Sequence, residues 1–208
     1  MMKAPHDDAA PKNRGWVGVA GLSLALALGL FGPASVSPAH AELIIKNVKN
    51  TCSLARNNDV AEVIGKVIKP AEQTSPPPDA ENPAVATACS FEGLSGQLTI
   101  IVMNFPSPDV ADSALSKTLA SIKEESSYNN DEPVIAQEGG LGETTYWVTS
   151  KVRNFTEDSN EASIIEKGTY IVRSSNRMIT VGTDWSDAAP DALKPALFKL
   201  TQVVLERL

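Results

Sequence analysis

The chain has 208 residues, of which 42% are hydrophobic and 21% charged, and this length predicts one ordinary domain and an additional segment. Its 25 acidic and 18 basic residues give a net charge of −7 at pH 7, which disfavours nucleic acid and anionic lipid as partners. Its two histidines, His6 and His40, both lie near the start of the chain.

Residues 1–41 have the pattern of a secretory signal peptide. A basic start is followed by the uncharged run Gly15–Gly32 and by a small-x-small ending at Ala39–Ala41, which predicts cleavage after Ala41. The alternative is a retained anchor, because the 18 residues of the run could just cross a bilayer of roughly 30 Å. Pro33 and Pro38 favour cleavage, so we expect a periplasmic or secreted protein with no stable membrane anchor.

Cleavage would change the chemistry of the chain. Residues 1–41 carry three of the 18 basic and two of the 25 acidic residues, so residues 42–208 have a net charge of −8 and no histidine. Ser-His-Asp and Cys-His hydrolases are excluded, because histidine supplies the base beside their nucleophile. The stretch Gly93–Gly96 approaches the G-x-S-x-G pattern, but Gln97 stands in place of the last glycine. We therefore predict no catalytic, cofactor-binding or metal-ligating residue.

The two cysteines, Cys52 and Cys89, predict a disulfide. Their number is even, and an exported chain folds in an oxidising compartment. Closing a loop of about 38 residues would stabilise the fold by about 4 kcal/mol on the chain-entropy model. The alternatives are a redox pair, which usually has the C-x-x-C spacing, and free thiols that could bind zinc.

The segments that follow alternate between helical and strand periodicity. A short helix is predicted with Asn57 or Asn58 as its N-cap and Gly65 as its end. A proline-rich stretch at about 70–86 predicts a flexible loop. Two strand-like segments, "TACSFE" and "QLTIIVMN", flank Gly93–Gly96 and predict a hairpin.

A long amphipathic helix is predicted after the hairpin. Ser107 can cap it, and Pro108 suits its first position. Its apolar residues fall on one stripe, which predicts one buried side: Ala111, Leu115, Leu119 and Ile122.

The glycine-rich stretch Gly139–Gly142 could be a phosphate cradle or a turn. A nucleotide-binding loop needs a helix directly after it, because the free N–H groups of the helix hold the phosphates. Here the loop runs into "ETTYWVTSKV", which is rich in β-branched and aromatic residues and predicts a strand. The stretch is therefore predicted to be a turn whose glycines adopt positive φ.

The remaining sequence predicts a β-meander and a final helix. The strand segments are "TTYWVTSKV", "ASIIEKGTYIVRS" and "MITVGT". The helix has an apolar stripe, and Pro195 is predicted to mark its start; the stripe is Leu193, Leu197, Leu200, Val204 and Leu208. Together these elements predict one α+β domain over residues 42–208, an antiparallel sheet with helices packed on one face and a single disulfide.

The order of these motifs resembles a group of small exported α+β domains of unknown function. The motifs are "TCSLARNNDVAEVIG", "ACSF" at the start of a strand, a long helix, "GGLGETTYW" and a final "VVLERL" helix. The group includes certain actinobacterial lipoproteins and the extracellular sensor domain of a mycobacterial receptor kinase. The resemblance spans about Cys52–Leu208 and implies a ligand- or partner-binding module. This chain departs from the group because it has no lipobox, no kinase and no second disulfide.

Two classes of function remain open. The first is a non-catalytic periplasmic or secreted module that binds an envelope protein, a glycan or a small ligand on the open sheet face. Aromatic side chains are its candidate contacts, although strand aromatics are more often core residues: Tyr146, Trp147, Tyr170 and Trp185. The second is an enzyme: a carboxylate-dependent envelope hydrolase, whose two acids could lie far apart in the chain, or an enzyme that uses a serine with an unusual base. Neither class requires a cofactor.

Overall fold

The computed structural model describes residues 50–75, 84–128, 132–155 and 162–208. The expected signal peptide at 1–41 lies outside the described residues, as does 76–83 of the expected proline-rich loop. Within the described ranges, seven antiparallel strands form one sheet and three α-helices pack against it. The predicted α+β class is confirmed.

The elements have the following bounds. The strands are β1 (Glu72–Thr74), β2 (Val85–Gly93), β3 (Gly96–Asn104), β4 (Val134–Glu138), β5 (Thr144–Phe155), β6 (Ala162–Ser174) and β7 (Arg177–Ser186). The helices are α1 (Asn57–Ile64), α2 (Pro108–Tyr128) and α3 (Pro190–Arg207). The strand order is β1-β2-β3-β7-β6-β5-β4, so two meanders meet where β3 pairs with β7.

The strand predictions are correct except at the two sheet edges. The hairpin of β2 and β3 is confirmed, with Gly93 paired to Gly96 across the turn. The edge strands β1 and β4 were not predicted, and β1 lies in the stretch predicted as a loop at about 70–86. Both are short, with three residues in β1 and five in β4, which is too few to show a clear period-two pattern, so pairing with a neighbouring strand fixes their conformation.

Helices α1 and α3 cover one side of the sheet, which we call the first face. The spacing in α3 was predicted correctly, since Leu193, Leu197, Leu200 and Val204 are all buried against the strands. The predicted start at Pro195 is wrong, because α3 begins at Pro190. Pro195 lies on the exposed side of the helix. It has no N–H, so one carbonyl of the preceding turn lacks its helical hydrogen bond, and water can hydrate that carbonyl.

Helix α2 lies on the opposite side, which we call the second face. Ala111, Ala114 and Leu115 pack there against a core that includes Ile171 and Met178, and this core is separate from that of the first face. The expectation that all helices share one face is therefore corrected. The reason is that neighbouring residues in β5, β6 and β7 are both buried, as in Ile171-Val172, so the sheet needs cover on both faces at this end.

The ends of α2 and α1 show how accurate the capping predictions were. Helix α2 begins at Pro108, and Ser107 Oγ accepts the N–H of Val110 at 3.4 Å, as predicted. In α1 the N-cap is Arg56 and not an asparagine. The Arg56 N–H donates to the Asp59 carboxylate at 2.8 Å, and this hydrogen bond closes the first turn.

The predicted disulfide joins Cys52 to Cys89. Cys52 lies in a 3-10 helix at Thr51–Ser53, and Cys89 is buried in β2 on the first face. On the same face, Thr51 Oγ1 lies 2.5 Å from Thr87 Oγ1. The covalent bond and the buried hydroxyl pair hold the segment before α1 against the sheet.

Loss of the disulfide is expected to destabilise the protein. Replacing Cys52 and Cys89 with serine should lower the free energy of unfolding by about 3–4 kcal/mol, because the unfolded chain regains the freedom that the cross-link removes. Urea unfolding without reductant measures this difference. Reduced wild type should match the variant, and equal unfolding midpoints for oxidised wild type and the variant would contradict the expectation.

The glycine-rich stretch between β4 and β5 is a turn, as predicted. Gly140 has φ of 95° and Gly142 has φ of 56°, both in the left-handed region that favours glycine. Between them Leu141 is 2% exposed and enters the first-face core. The turn therefore inserts one apolar side chain into the core and directs the chain into β5.

Alanine substitutions in this turn should distinguish a glycine that the backbone requires from one that it does not. A Cβ at position 142 would lie 2.6 Å from the Arg173 carbonyl oxygen at a positive φ, so Gly142→Ala should cost more than about 1 kcal/mol. Gly139→Ala is the matched control, because a Cβ there meets nothing within 4 Å, and its effect should stay within about 0.5 kcal/mol. Thermal and urea unfolding measure both changes, and equal losses would contradict the assignment.

Candidate functional site

Two of the four candidate aromatic contacts lie in the first-face core. Trp147 is 3% exposed and Tyr170 is 1% exposed, and their ring centroids are 4.8 Å apart. Trp147 lies across Gly168, where a Cβ would come within 2.6 Å of its ring. These two residues follow the alternative that the sequence left open for strand aromatics, and a partner at the sheet surface cannot reach them.

Polar side chains lie around the Tyr170 hydroxyl at the outer end of this core. Tyr170 donates to Glu138 Oε2 at 3.2 Å, and the Lys194 ammonium forms an ion pair with the same carboxylate. That ammonium also lies 5.6 Å from the centre of the Trp147 ring. Burial, and then the Glu138 charge, raise the pKa of Tyr170, so its phenol stays neutral. These contacts join α3 to β4. The neutral phenol of Tyr170 cannot act as a general base at neutral pH.

The cleft between α1 and α3 is also held by ion pairs. It has a volume of about 80 Å³, and Asn58, Glu62 and Lys199 line it. Lys199 Nζ lies 2.8 Å from Glu62, and Arg207 donates to Asp59 at 2.6 Å. The hydrogen bond from Arg207 lowers the pKa of Asp59. These charges satisfy each other across the two helices, and the cleft is too small for more than a few water molecules.

The other two aromatics lie on the second face. Tyr146 is half-buried and packs against the core beneath α2. Trp185 is half-buried but belongs to neither core cluster, at the end of the sheet away from α2. Of the four candidates, Trp185 is thus the one whose side chain is accessible without being part of either described core.

A β-bulge in β7 determines where Trp185 points. Leu98 pairs with Thr183 and Gln97 pairs with Trp185, so Asp184 is an extra residue on β7. Strict alternation from the buried Thr183 would direct Trp185 to the first face. Because of the extra residue, Trp185 stands opposite Gln97. Gln97 lies on the second face, since its neighbour Leu98 is in the first-face core. Trp185 therefore lies on the second face as well.

The bulge residue itself is part of a polar chain across three strands. Thr99 Oγ1 donates to Asp184 Oδ2 at 2.6 Å, and Ser90 Oγ lies 3.1 Å from Thr99 Oγ1. Since Thr99 gives its one hydroxyl proton to Asp184, Ser90 donates to Thr99. The chain fixes the Asp184 carboxylate beside Trp185 and leaves it lone pairs for further hydrogen bonds.

We call this region the open patch, defined by residues that are all half-buried: Ser90, Gln97, Thr99, Thr169, Asp184 and Trp185. Gly182 lies at its centre, paired with Thr99 on one side and Thr169 on the other. A Cβ at Gly182 would come within 2.3 Å of Thr169 Oγ1, so glycine lets this hydroxyl lie across β7. The open patch is thus a polar surface with one indole at its end.

Sequence reasoning found Trp185 but missed the polar residues around it. Asp184, Thr99 and Ser90 come from three strands, and their meeting depends on the register between β3 and β7. The segment "GTDWS" carried no sign of the bulge, because a charged residue followed by an aromatic one fits the alternation expected of a strand with one covered face.

Metal chemistry has no group of ligands among the residues that the structure describes. No cluster of three or more His, Cys, Asp or Glu side chains that could hold an ion occurs there, and both cysteines are in the disulfide. In the same ranges, every helix is too short or too polar to cross a membrane. The disulfide is compatible with a periplasmic or extracellular location.

Comparison with known proteins gives no family assignment. No protein-family model matches this chain, and no curated protein matches it in sequence. The open patch is therefore interpreted from its own geometry and chemistry.

The raised pKa of Tyr170 predicts how stability depends on alkaline pH. The folded protein keeps the phenol proton to a higher pH than the unfolded chain, so this contribution is present below about pH 10 and is lost as pH rises further. Tyr170→Phe should be less stable at pH 7, because the Glu138 hydrogen bond is lost, but its stability should fall less between pH 9 and pH 11. Urea unfolding at both pH values measures this, and equal falls in the two proteins would contradict the assignment.

Proposed function

We propose that the chain is an exported, non-catalytic module that binds a component of the cell envelope through the open patch. Export is supported by the signal-peptide pattern at 1–41 and by the disulfide. Binding is supported by the position of Trp185. The module acts in the periplasm or after secretion.

Trp185 is the observation that carries the proposal. The bulge at Asp184 directs this large side chain away from the first-face core, where strict alternation would have buried it. Trp185 stays partly exposed on the second face, so a part of the burial energy of a large apolar side chain, about 1.5–3 kcal/mol when complete, is not gained. Tryptophan is also the residue type most enriched among those that dominate binding energy at interfaces.

The polar residues of the open patch suit binding better than catalysis. Asp184 is held by the Thr99 hydroxyl, and Glu92, on the same face of β2 and two strands away, forms an ion pair with Lys69 at 2.6 Å. A carboxylate-dependent hydrolase needs one carboxyl group that stays protonated to serve as the acid. Both of these carboxylates are instead already bound to a donor within the fold, Asp184 to a hydroxyl and Glu92 to an ammonium.

The proposal is tested by sedimentation of the purified protein with envelope fractions of the cells that produce it. Trp185→Ala should weaken binding at least about tenfold, since truncating a central aromatic contact typically costs more than about 1.4 kcal/mol. Val134→Ala is the control, because Val134 is 61% exposed on β4, at the far edge of the sheet. It should bind as wild type does.

Unfolding experiments exclude a trivial loss of structure. Trp185→Ala should unfold within about 1 kcal/mol of wild type, because the side chain is outside both described cores. If the Trp185→Ala variant is folded and sediments with the envelope fraction as much as wild type does, the role of the open patch is refuted. Turnover of an envelope component that Asp184→Asn abolishes would refute the non-catalytic assignment.

A further inference from the structure

We propose that the ligand of the open patch is a neutral carbohydrate chain, with one sugar ring stacked on Trp185 and its hydroxyls hydrogen-bonded to Asp184 and Gln97. This inference rests on the proposed function and specifies its ligand. It follows from the size of the patch, its mixture of polar groups and its charge.

The dimensions of the open patch suit a short chain of sugar rings. It spans β2, β3, β7 and β6, which at about 4.8 Å between neighbouring strands makes it about 14 Å wide. Along β3 it runs from Gln97 to Thr99, with the half-buried Ile101 beyond. This area is several times smaller than the roughly 800 Å² that each partner buries in a standard protein–protein interface. Two or three pyranose rings would fill it.

The hydrogen-bonding groups of the open patch include both donors and acceptors. Asp184 uses one oxygen to accept from Thr99, and a carboxylate can accept about four hydrogen bonds. Gln97 has an amide that both donates and accepts, and it pairs directly with Trp185 in the register. Sugar hydroxyls likewise donate and accept, so they can satisfy this mixed set, and those that reach the carboxylate form the stronger charge-assisted bonds.

The position of Trp185 completes the match. A pyranose ring has an apolar C–H face and a polar rim, and an indole beside a carboxylate is complementary to both. Asp184 and Trp185 are adjacent at the bulge, so a ring on the indole would bring its rim to the carboxylate. The polar chain from Ser90 through Thr99 holds that carboxylate in place before the ligand arrives.

Charge and polarity exclude two other kinds of occupant. An anionic ligand, such as a phosphate group, would be repelled by Asp184 and by the net charge of −7. An apolar helix or acyl chain would bury Asp184 and its hydroxyl chain without replacing their hydrogen bonds to water. A cationic peptide would tolerate the charge, and the test includes it.

The test measures binding of defined probes to the purified full-length protein by calorimetry and tryptophan fluorescence. The probes are chitotetraose, cellotetraose and maltotetraose, with tetragalacturonate as an anionic probe and tetralysine as a cationic one. We expect at least one neutral tetrasaccharide to bind and to change the fluorescence. We expect no binding of the anionic probe.

Four variants locate the binding site. Trp185→Ala and Asp184→Ala should each weaken binding of the neutral probe at least tenfold, while Trp185→Phe, which keeps an aromatic ring, should retain most of it. Val134→Ala should bind as wild type does. All four should unfold cooperatively, which separates loss of a contact from loss of the fold. Equal binding by wild type, Trp185→Ala and Asp184→Ala would overturn the inference.

The two proposals fail in different ways. If envelope sedimentation depends on Trp185 but no neutral tetrasaccharide binds or competes, the carbohydrate inference is wrong and the proposed function stands. If tetralysine binds in a Trp185-dependent way and the sugars do not, the ligand is a cationic peptide and the inference is again wrong. If Trp185 affects neither sedimentation nor sugar binding, both proposals fall.

Discussion

The pairing of β3 with β7 is the constraint on which the rest of the structure depends. It joins the meander of β1 to β3 with the meander of β4 to β7, and without it the chain would form two smaller sheets. Its register also decides which side chains reach each face, because a strand has a period of two residues. Ile100 opposite Val181 and Val102 opposite Ile179 fill the first-face core from the centre of this pair. The bulge at its end then places Trp185 on the other face.

Ion pairs of Arg173 hold together the loops at one end of the sheet. The Arg173 guanidinium forms ion pairs with Asp112 on α2 and with Glu143 directly after the glycine turn. Glu143 also accepts the backbone N–H of Ser175 at 3.0 Å, in the turn between β6 and β7. Because Arg173 is largely buried, these charges are screened less than surface pairs. One side chain thus ties α2, the glycine turn and the β6–β7 turn together at the end of the sheet opposite the open patch.

The sequence predicted best those features that depend on local patterns. The stripe on α3, the capping of α2 by Ser107 and the turn at Gly139–Gly142 each follow from residues close together in the chain, and each is confirmed. The disulfide was predictable because two cysteines allow one pairing. The residues of a single strand could not show that α2 lies on the second face, although the doubly apolar pairs in β5 to β7 gave a partial signal.

The candidate site was predictable only in part, for the same physical reason. Trp185 could be named from its type, but Ser90, Thr99 and Asp184 become neighbours only through pairing between strands far apart in the chain. A bulge adds one residue to one strand, and the strand sequence does not state where its partner lacks one. Periodicity alone would therefore have assigned Trp185 to the first face.

The two faces of the sheet contribute unequally to stability, which explains how a small domain can carry the open patch. The first face carries the disulfide, two helices and the larger buried cluster, so most of the stabilising burial lies there. The second face needs cover only where α2 packs, at the end with Ile171 and Met178. Its other end can therefore carry hydroxyls, a carboxylate and an indole at little cost to stability. In this arrangement the bulge at Asp184 connects the fold to the proposed function, because it moves one large aromatic side chain from the face that holds the larger core to the face that carries the open patch.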